Sequence, residues 1–299
     1  MTDQQILTHA INILNSARIR GKYVFLCEGD ISNIFDNNIH SPSSLRKLEH
    51  LPDSSFYKKC LNTNIQKYKL PSFFNCAGRT DVIKVYHKLL ELVDEEESQG
   101  RSTYLDKEKL FVIIDLDLQN SKVDETLYTE DIYLSLYDET KIIQTEIISH
   151  KVFVTGLIHK EAYFLLPIFQ DVIENYKIQL KYGNSQICLP TIYQEILNDS
   201  YADRDLNSNL SRVLDRFSQH KLNTIDDLVS LANQKLNQNE LEYLFTFRKV
   251  KPYWERITSE ESSDDEKLRE QIVAEIASKI STLNDNNFHL TAIFNKIIQ

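Results

Sequence analysis

Short apolar runs that end in acidic residues stand out in the first half of the chain. Residues 23–27 and 110–114 are continuous apolar stretches, and each is followed at once by an acid, Glu28 and Asp115. Apolar runs of this length without polar alternation are typical of parallel strands that helices cover on both faces. We therefore predict two buried strands that end at these acids.

The residues around these runs predict further elements of the same sheet. A third strand is predicted at 72–76, followed by a helix over 79–93 whose apolar residues recur on one side. Two more strands are predicted at 142–148 and 152–155, and a capped amphipathic helix at 1–15 precedes them all. The alternation of strands and helices predicts an α/β fold, with a parallel sheet flanked by helices.

The second half of the chain has helical periodicity. Apolar residues three and four apart predict helices at 161–180, 191–198, 209–218, 225–236, 240–249 and 262–280. A chain of 299 residues is long enough for two packed units. We predict an α/β domain over residues 1–168 and a mainly α-helical domain over residues 169–299.

The sequence has neither the apolar run of a membrane span nor the pattern of a signal peptide. No apolar run approaches the roughly 20 residues that span a bilayer, and the first residues lack the basic flank, apolar core and cleavage site of a signal peptide. We expect a soluble, cytoplasmic protein that does not associate with membranes.

Charge is unevenly distributed along the chain. The net charge is −10, which argues against a protein that coats nucleic acid through bulk electrostatics. Residues 46–88, however, contain nine basic residues against three acidic ones (Arg46, Lys47, Lys58, Lys59, Lys67, Lys69, Arg79, Lys84 and Lys88 against Glu49, Asp53 and Asp81). Aromatic residues are interleaved with these charges, namely Phe56, Tyr57, Tyr68, Phe73 and Phe74.

This basic and aromatic segment is a candidate nucleic-acid surface. Aromatic rings can stack on unpaired bases while basic side chains contact phosphates. The candidate contacts are Lys58, Lys59, Lys67, Lys69 and Arg79. The alternative is that the aromatic residues are buried and that the lysines only solubilise the surface.

Three acids are expected at one edge of the predicted sheet. Glu28 and Asp115 each follow a strand, and Asp117 should point to the same side as Asp115 because side chains alternate along a strand. Gly29 should keep the space beside Glu28 open. Carboxylates that converge suit Mg²⁺ or Mn²⁺, and such a metal supports phosphodiester hydrolysis. The alternative is that each acid only caps a helix or ends a strand.

The combined motifs resemble the Toprim family. They are FLCEG at residues 25–29, NCAGR at 75–79 and VIIDLD at 112–117, with VTGLIHKEAYFL at 154–165 similar to a segment of the OLD-like branch of that family. The length of the chain resembles that of the AriB-type nuclease effectors of PARIS anti-phage defence systems. The resemblance covers roughly residues 20–168.

The resemblance implies a metal-dependent nuclease and assigns expected roles. Glu28, Asp115 and Asp117 would bind Mg²⁺, while the PARIS branch implies a tRNA substrate, an ABC-type ATPase sensor that restrains the nuclease, and a homodimer once it is released. Toprim proteins often have a further acid at the place of Ser32, so Asp30 or Glu161 competes for the role of an additional ligand. An OLD-like DNA endonuclease and a non-catalytic module that binds an ATPase remain the alternatives.

Two more groups of residues are candidates on local grounds. Lys160 and Glu161 stand at a predicted helix start, where a lysine can hold a phosphate and a carboxylate is favoured by the helix dipole; His159 beside them is a candidate proton carrier. A second basic and aromatic cluster at 248–256 includes Trp254, the sole tryptophan, which is expected either in the core or at a partner interface.

Overall fold

A computed structural model describes residues 1–31, 51–283 and 288–298. Its α-helices are, in chain order, α1 Asp3–Leu14, α2 Pro52–Lys59, α3 Arg79–Ser98, α4 Thr129–Leu136, α5 Lys160–Phe164, α6 Gln170–Glu174, α7 Leu189–Asn198, α8 Arg204–Ser208, α9 Leu210–Asp215, α10 Ile225–Asn237, α11 Glu242–Phe245, α12 Lys251–Trp254, α13 Asp265–Thr282 and α14 His289–Ile298. Its strands are β1 Val24–Cys27, β2 Ser72–Asn75, β3 Leu110–Ile114, β4 Tyr137–Asp138, β5 Lys141–Ile142, β6 Val152–Val154, β7 Lys181–Tyr182, β8 Ser185–Gln186 and β9 Ile257–Thr258.

The main sheet has four parallel strands in the order β2-β1-β3-β6. Cys27 at the end of β1 is paired with Asn75 of β2 on one side and with Ile113 of β3 on the other. All residues of these four strands are buried, as their apolar sequences require. The predicted α/β fold with a parallel sheet flanked by helices is confirmed.

One face of this sheet is aromatic. Phe25 of β1 stacks on Phe73 of β2 at 5.1 Å and on Phe111 of β3 at 5.5 Å between ring centroids. Phe294 of α14 meets Phe25 and Phe73 edge-on at 5.6 and 5.7 Å. This geometry is a favoured one for aromatic pairs and covers the centre of the sheet.

Two compact units make up the chain, and they differ from the predicted division at residue 168. The first comprises Met1–Ile114, Gln144–Val154 and Ile280–Gln299, and the second comprises Asp115–Ile143 and Thr155–Lys279. The first unit therefore contains the whole parallel sheet and also α14, because Phe294 brings the last helix back onto the aromatic face. Leu290, Ile293, Phe294 and Ile297 have the apolar spacing of a helix, although no helix was predicted after residue 280.

The second unit is mainly helical, as predicted for the C-terminal region. It also contains two small antiparallel sheets, the hairpin β4-β5 and the three-stranded sheet β8-β7-β9. Each of their strands has only two residues. Segments this short have no detectable alternation, so the sequence did not predict them, except that the predicted strand at 142–148 overlaps β5 at Ile142.

Several predicted elements are wrong in extent. The strand at 142–148 is only β5, and Ile147–Ser149 forms a 3₁₀ helix instead. The helix at 161–180 is broken into α5, a 3₁₀ turn and α6, because Pro167 has no backbone N–H and holds the preceding Leu166 in an extended conformation.

Parts of the sequence interpretation lie outside the described residues. They include Ser32 and the basic residues Arg46 and Lys47. Within the described residues, no helix is both long and apolar enough to cross a membrane.

Removal of the ring that joins α14 to the sheet should destabilise the protein. We expect Phe294→Ala to cost about 3–5 kcal/mol of unfolding free energy, because it removes a buried ring and leaves a cavity. Lys296→Ala, an exposed change on the same helix, is the matched control and should cost under about 0.5 kcal/mol. Urea unfolding measures both, and equal small effects would contradict this role of α14.

Candidate functional site

Glu28 directly follows the carboxyl end of β1 and forms an ion pair with Arg79. The Nε atom of Arg79 lies 3.7 Å from Oε1 of Glu28, and the Glu28 side chain keeps 24% of its surface exposed. Arg79 is the first residue of α3, directly after Gly78. Both residues belong to the first unit, and they place a carboxylate beside a guanidinium at the end of the central strand.

Gly29 allows a close approach of buried polar groups next to Glu28. A Cβ atom there would lie 2.2 Å from Nδ2 of Asn75 and 2.4 Å from Oδ2 of Asp53, and the φ angle of Gly29 is +154°. The Asn75 side chain is fixed in turn, because its Oδ1 accepts the Ser54 backbone N–H at 3.0 Å. The space beside Glu28 that Gly29 was predicted to keep open is therefore filled by Asn75 and Asp53.

The premise that Asp115 and Asp117 alternate along a strand is wrong. Strand β3 ends at Ile114, and Asp117 has a left-handed backbone with φ 51°. Aspartate tolerates this conformation better than most residues. The two carboxylates accordingly have different polar neighbours, which lie within the second unit.

Asp115 caps the start of α5. Its Oδ1 accepts the backbone N–H of Lys160 at 3.2 Å, and Lys160 is the first residue of that helix. A carboxylate at a helix N-terminus satisfies an N–H group that has no partner within the helix. Asp115 thus has the capping role that was the alternative to metal binding.

Asp117 lies next to a lysine that the sequence interpretation assigned elsewhere. Oδ1 of Asp117 accepts the N–H of Leu118 at 2.6 Å and lies 3.6 Å from Nζ of Lys249. Lys249 also contacts Oδ2 of Asp205 at 2.8 Å. Although burial lowers the pKa of Lys249, the hydrogen bond to Asp205 and the charge of Asp117 outweigh it and raise that pKa. Lys249 was predicted only as part of a partner or core cluster, since no sequence signal joined it to Asp117.

A buried ion pair holds the backbone of Asp117. Arg216 makes two hydrogen bonds of 2.7 Å to the carboxylate of Glu130, and the pair is almost completely removed from solvent. Its remaining donors reach the carbonyl oxygens of Thr246 at 2.6 Å and Asp117 at 3.1 Å. Loss of one partner of such a pair leaves an uncompensated buried charge. Arg216 is therefore a positioning residue that the sequence did not reveal.

Glu161 and His159 form a closed pair at the start of α5. The Nε2 atom of His159 accepts the Val250 backbone N–H at 3.1 Å, so the ring proton is on Nδ1, which lies 3.0 Å from Oε2 of Glu161. Lys160 adds a positive charge 3.9 Å from the other oxygen of Glu161. Burial alone would raise the pKa of Glu161, but the hydrogen bond from His159 and the charges of Lys160 and His159 lower it to about 2. With Nε2 accepting from Val250 and Nδ1 beside the Glu161 carboxylate, His159 is poorly placed as a proton carrier.

The candidate nucleic-acid lysines lie in the first unit. Lys59, Lys67 and Lys69 are exposed and Lys58 is half-buried. In the described part of the chain, none of the four forms an ion pair with a carboxylate. The predicted stacking role fails for four of the five aromatic residues, because Phe56, Tyr57, Phe73 and Phe74 are buried. Tyr68 is 72% exposed.

The second basic and aromatic cluster belongs to the core of the second unit. Trp254 is 5% exposed and packs on Phe164 at 5.1 Å between ring centroids. Arg248 is buried and pairs with Asp203, and Tyr253 donates to Asp199 at 2.6 Å. Trp254 is therefore a core residue rather than an exposed anchor for a partner.

The described residues contain no preformed cluster of metal ligands. No group of three or more His, Cys, Asp or Glu side chains there is arranged to hold a metal ion. Asp30 is exposed, and its backbone carbonyl accepts Nδ2 of Asn75 at 3.5 Å. The carboxylates at the ends of β1 and β3 nevertheless have the hard oxygen donors that Mg²⁺ prefers.

Comparison of the chain with models of known protein families, with curated proteins and with solved structures finds no match. The resemblance to the Toprim family rests on the motifs alone.

The depressed pKa of Glu161 predicts a pH-dependent contribution to stability. Ionised Glu161 stabilises the folded state above its unfolded pKa of about 4.5, and this contribution disappears as the pH falls towards 2. We expect Glu161→Gln to lower the urea midpoint most at pH 6 and progressively less at pH 4 and 3. Glu275→Gln on an exposed face of α13 is the control and should have almost no effect at any pH. A loss for Glu161→Gln that is the same at all three pH values would contradict the assignment.

Proposed function

We propose that this protein is a Mg²⁺-dependent nuclease of the Toprim type, with its metal ligands at the carboxyl ends of β1 and β3. The observation that supports this most is the strand order: β1 and β3 are parallel neighbours, Glu28 directly follows the first and Asp115 directly follows the second. In open α/β sheets, ligands bind beyond the carboxyl ends of the strands.

Glu28 and Asp115 would be the primary ligands, with Asp117 as a third and Asp30 or Glu161 as a further one. When bound, Mg²⁺ supplies a Lewis acid that activates water and stabilises charge on a phosphodiester. The protein's own cations have separate roles. Arg79 beside Glu28 has a planar fork suited to a phosphate, and Lys249 beside Asp117 can neutralise a further phosphate oxygen.

RNA is the favoured substrate, with tRNA the specific expectation from the resemblance to PARIS effectors. Lys58, Lys59, Lys67 and Lys69 support it, because they supply positive charge in a chain whose net charge is −10. The same resemblance supports a role as a toxic effector in anti-phage defence, restrained by an ABC-type ATPase and active as a homodimer.

A non-catalytic module that binds an ATPase is the second candidate. The specific observation in its favour is that the acids already have partners within the protein. Glu28 pairs with Arg79, Asp115 caps α5 and Asp117 lies beside Lys249. Acids engaged in this way can be retained for structure alone.

Cleavage by the purified full-length chain separates the two candidates. We expect tRNA to be cut in the presence of Mg²⁺ and not in EDTA, and Glu28→Gln to slow cleavage by at least about 100-fold, because a metal ligand is lost. Glu91→Gln on the exposed side of α3 is the matched control and should cleave at the wild-type rate. Plasmid DNA in a parallel reaction tests the OLD-like alternative.

Expression in cells provides the second readout, since an effector that must dimerise or be activated can be silent as the purified chain. Wild-type expression should be toxic and Glu28→Gln should relieve the toxicity, whereas Glu91→Gln should not. Equal cleavage and equal toxicity for the wild type and Glu28→Gln would reject Glu28 as a metal ligand. Folding of each variant is checked by circular dichroism.

A further inference from the structure

A cleft lined by both polar and apolar side chains, among them Ile65 and Ile298, lies in the first unit, away from the carboxyl ends of the strands. It has a volume of about 360 Å³, and its polar lining consists of Asn62, Asn64, Gln66, Lys69 and Asn295. Clefts of this size accommodate small organic groups. Neither Glu28 nor Arg79 lines it, so it is distinct from the candidate metal site.

Amide side chains give the cleft its chemical character. An amide presents both a donor and an acceptor, and this pairing matches the edges of nucleobases. Part of this capacity is already used to shape the loop, since Oδ1 of Asn62 accepts the N–H of Asn64 at 2.9 Å. Asn64 and Gln66 are exposed.

An exposed aromatic residue stands in the same loop. Tyr68 is the central residue of the 3₁₀ helix Lys67–Lys69 and is 72% exposed, whereas Phe56, Tyr57, Phe73 and Phe74 are buried. A ring flanked by two lysines offers a face for base stacking and cations for the adjoining phosphates.

We propose that this cleft, together with Tyr68, is a subsite that anchors an unpaired stretch of RNA, with a base stacked on Tyr68 and a base edge against the amides. The choice of RNA rests on the proposed nuclease function, but binding at the subsite needs neither the metal nor Glu28. Lys67 and Lys69 would attract the backbone phosphates, although the chain as a whole has a net charge of −10.

The distance of this subsite from Glu28 indicates that it would change the affinity for RNA rather than the rate of the bond-breaking step. Lys69 comes shortly before the start of β2, whereas Glu28 follows the end of β1, and β1 and β2 run parallel. A four-residue strand is about 13 Å long. RNA held at the cleft would therefore extend from the cut site, and loss of Tyr68 should raise KM and leave kcat unchanged.

Binding is measured on the full-length protein in EDTA, with a fluorescein-labelled ten-nucleotide oligouridine and fluorescence anisotropy. We expect Tyr68→Ala to weaken binding about tenfold, since stacking on one aromatic ring contributes about 1–3 kcal/mol per base. Tyr201→Ala removes another exposed tyrosine and should bind like the wild type. Unlabelled inorganic polyphosphate of similar charge should compete more weakly than unlabelled oligouridine.

Three results would overturn the subsite: no binding by the wild type, equal affinity of Tyr68→Ala and Tyr201→Ala, or equal competition by polyphosphate. Failure of the nuclease proposal is recognised separately. Tyr68-dependent binding without Mg²⁺-dependent cleavage and without Glu28-dependent toxicity would uphold the subsite and reject the nuclease. Cleavage with an unchanged KM in Tyr68→Ala would uphold the nuclease and reject the subsite.

Discussion

The pairing of β1 with parallel neighbours on both sides is the constraint on which the first unit depends. Its four buried residues are hydrogen-bonded to β2 and β3, and Phe25 carries the aromatic stack that α14 covers. The same pairing fixes where the chain leaves the sheet. Glu28 and Asp115 follow adjacent strands because of it, and a change in register would separate the residues on which the proposed chemistry relies.

The second constraint is that the acidic side chains need positive charge nearby, and basic side chains of the same protein supply it. Glu28 lies beside Arg79, Asp117 beside Lys249, and Glu161 between His159 and Lys160. Arg216 and Glu130 form a buried pair that holds the Asp117 backbone in its left-handed conformation.

The sequence predicted the parts of the structure that depend on local pattern. Continuous apolar runs located β1 and β3, and the segment 72–76 located β2, each to within one residue. The Thr2 capping box located α1. It did not predict the direction of Asp117, because strand alternation stops where the backbone turns. Nor did it predict the contacts of Lys249 and Arg216, which join residues about 90 or more positions apart and leave no periodic signal.

Metal binding is the most direct test of the central claim, because it requires neither substrate nor a partner. Titration of the purified protein with Mn²⁺, followed by electron paramagnetic resonance of the free ion, should show one bound ion for the wild type. Glu28→Gln and Asp115→Asn should each abolish it, and the asparagine retains an oxygen that can still cap α5. An absence of Mn²⁺ binding by the wild type, or binding unchanged in both variants, would contradict a metal site at the ends of β1 and β3.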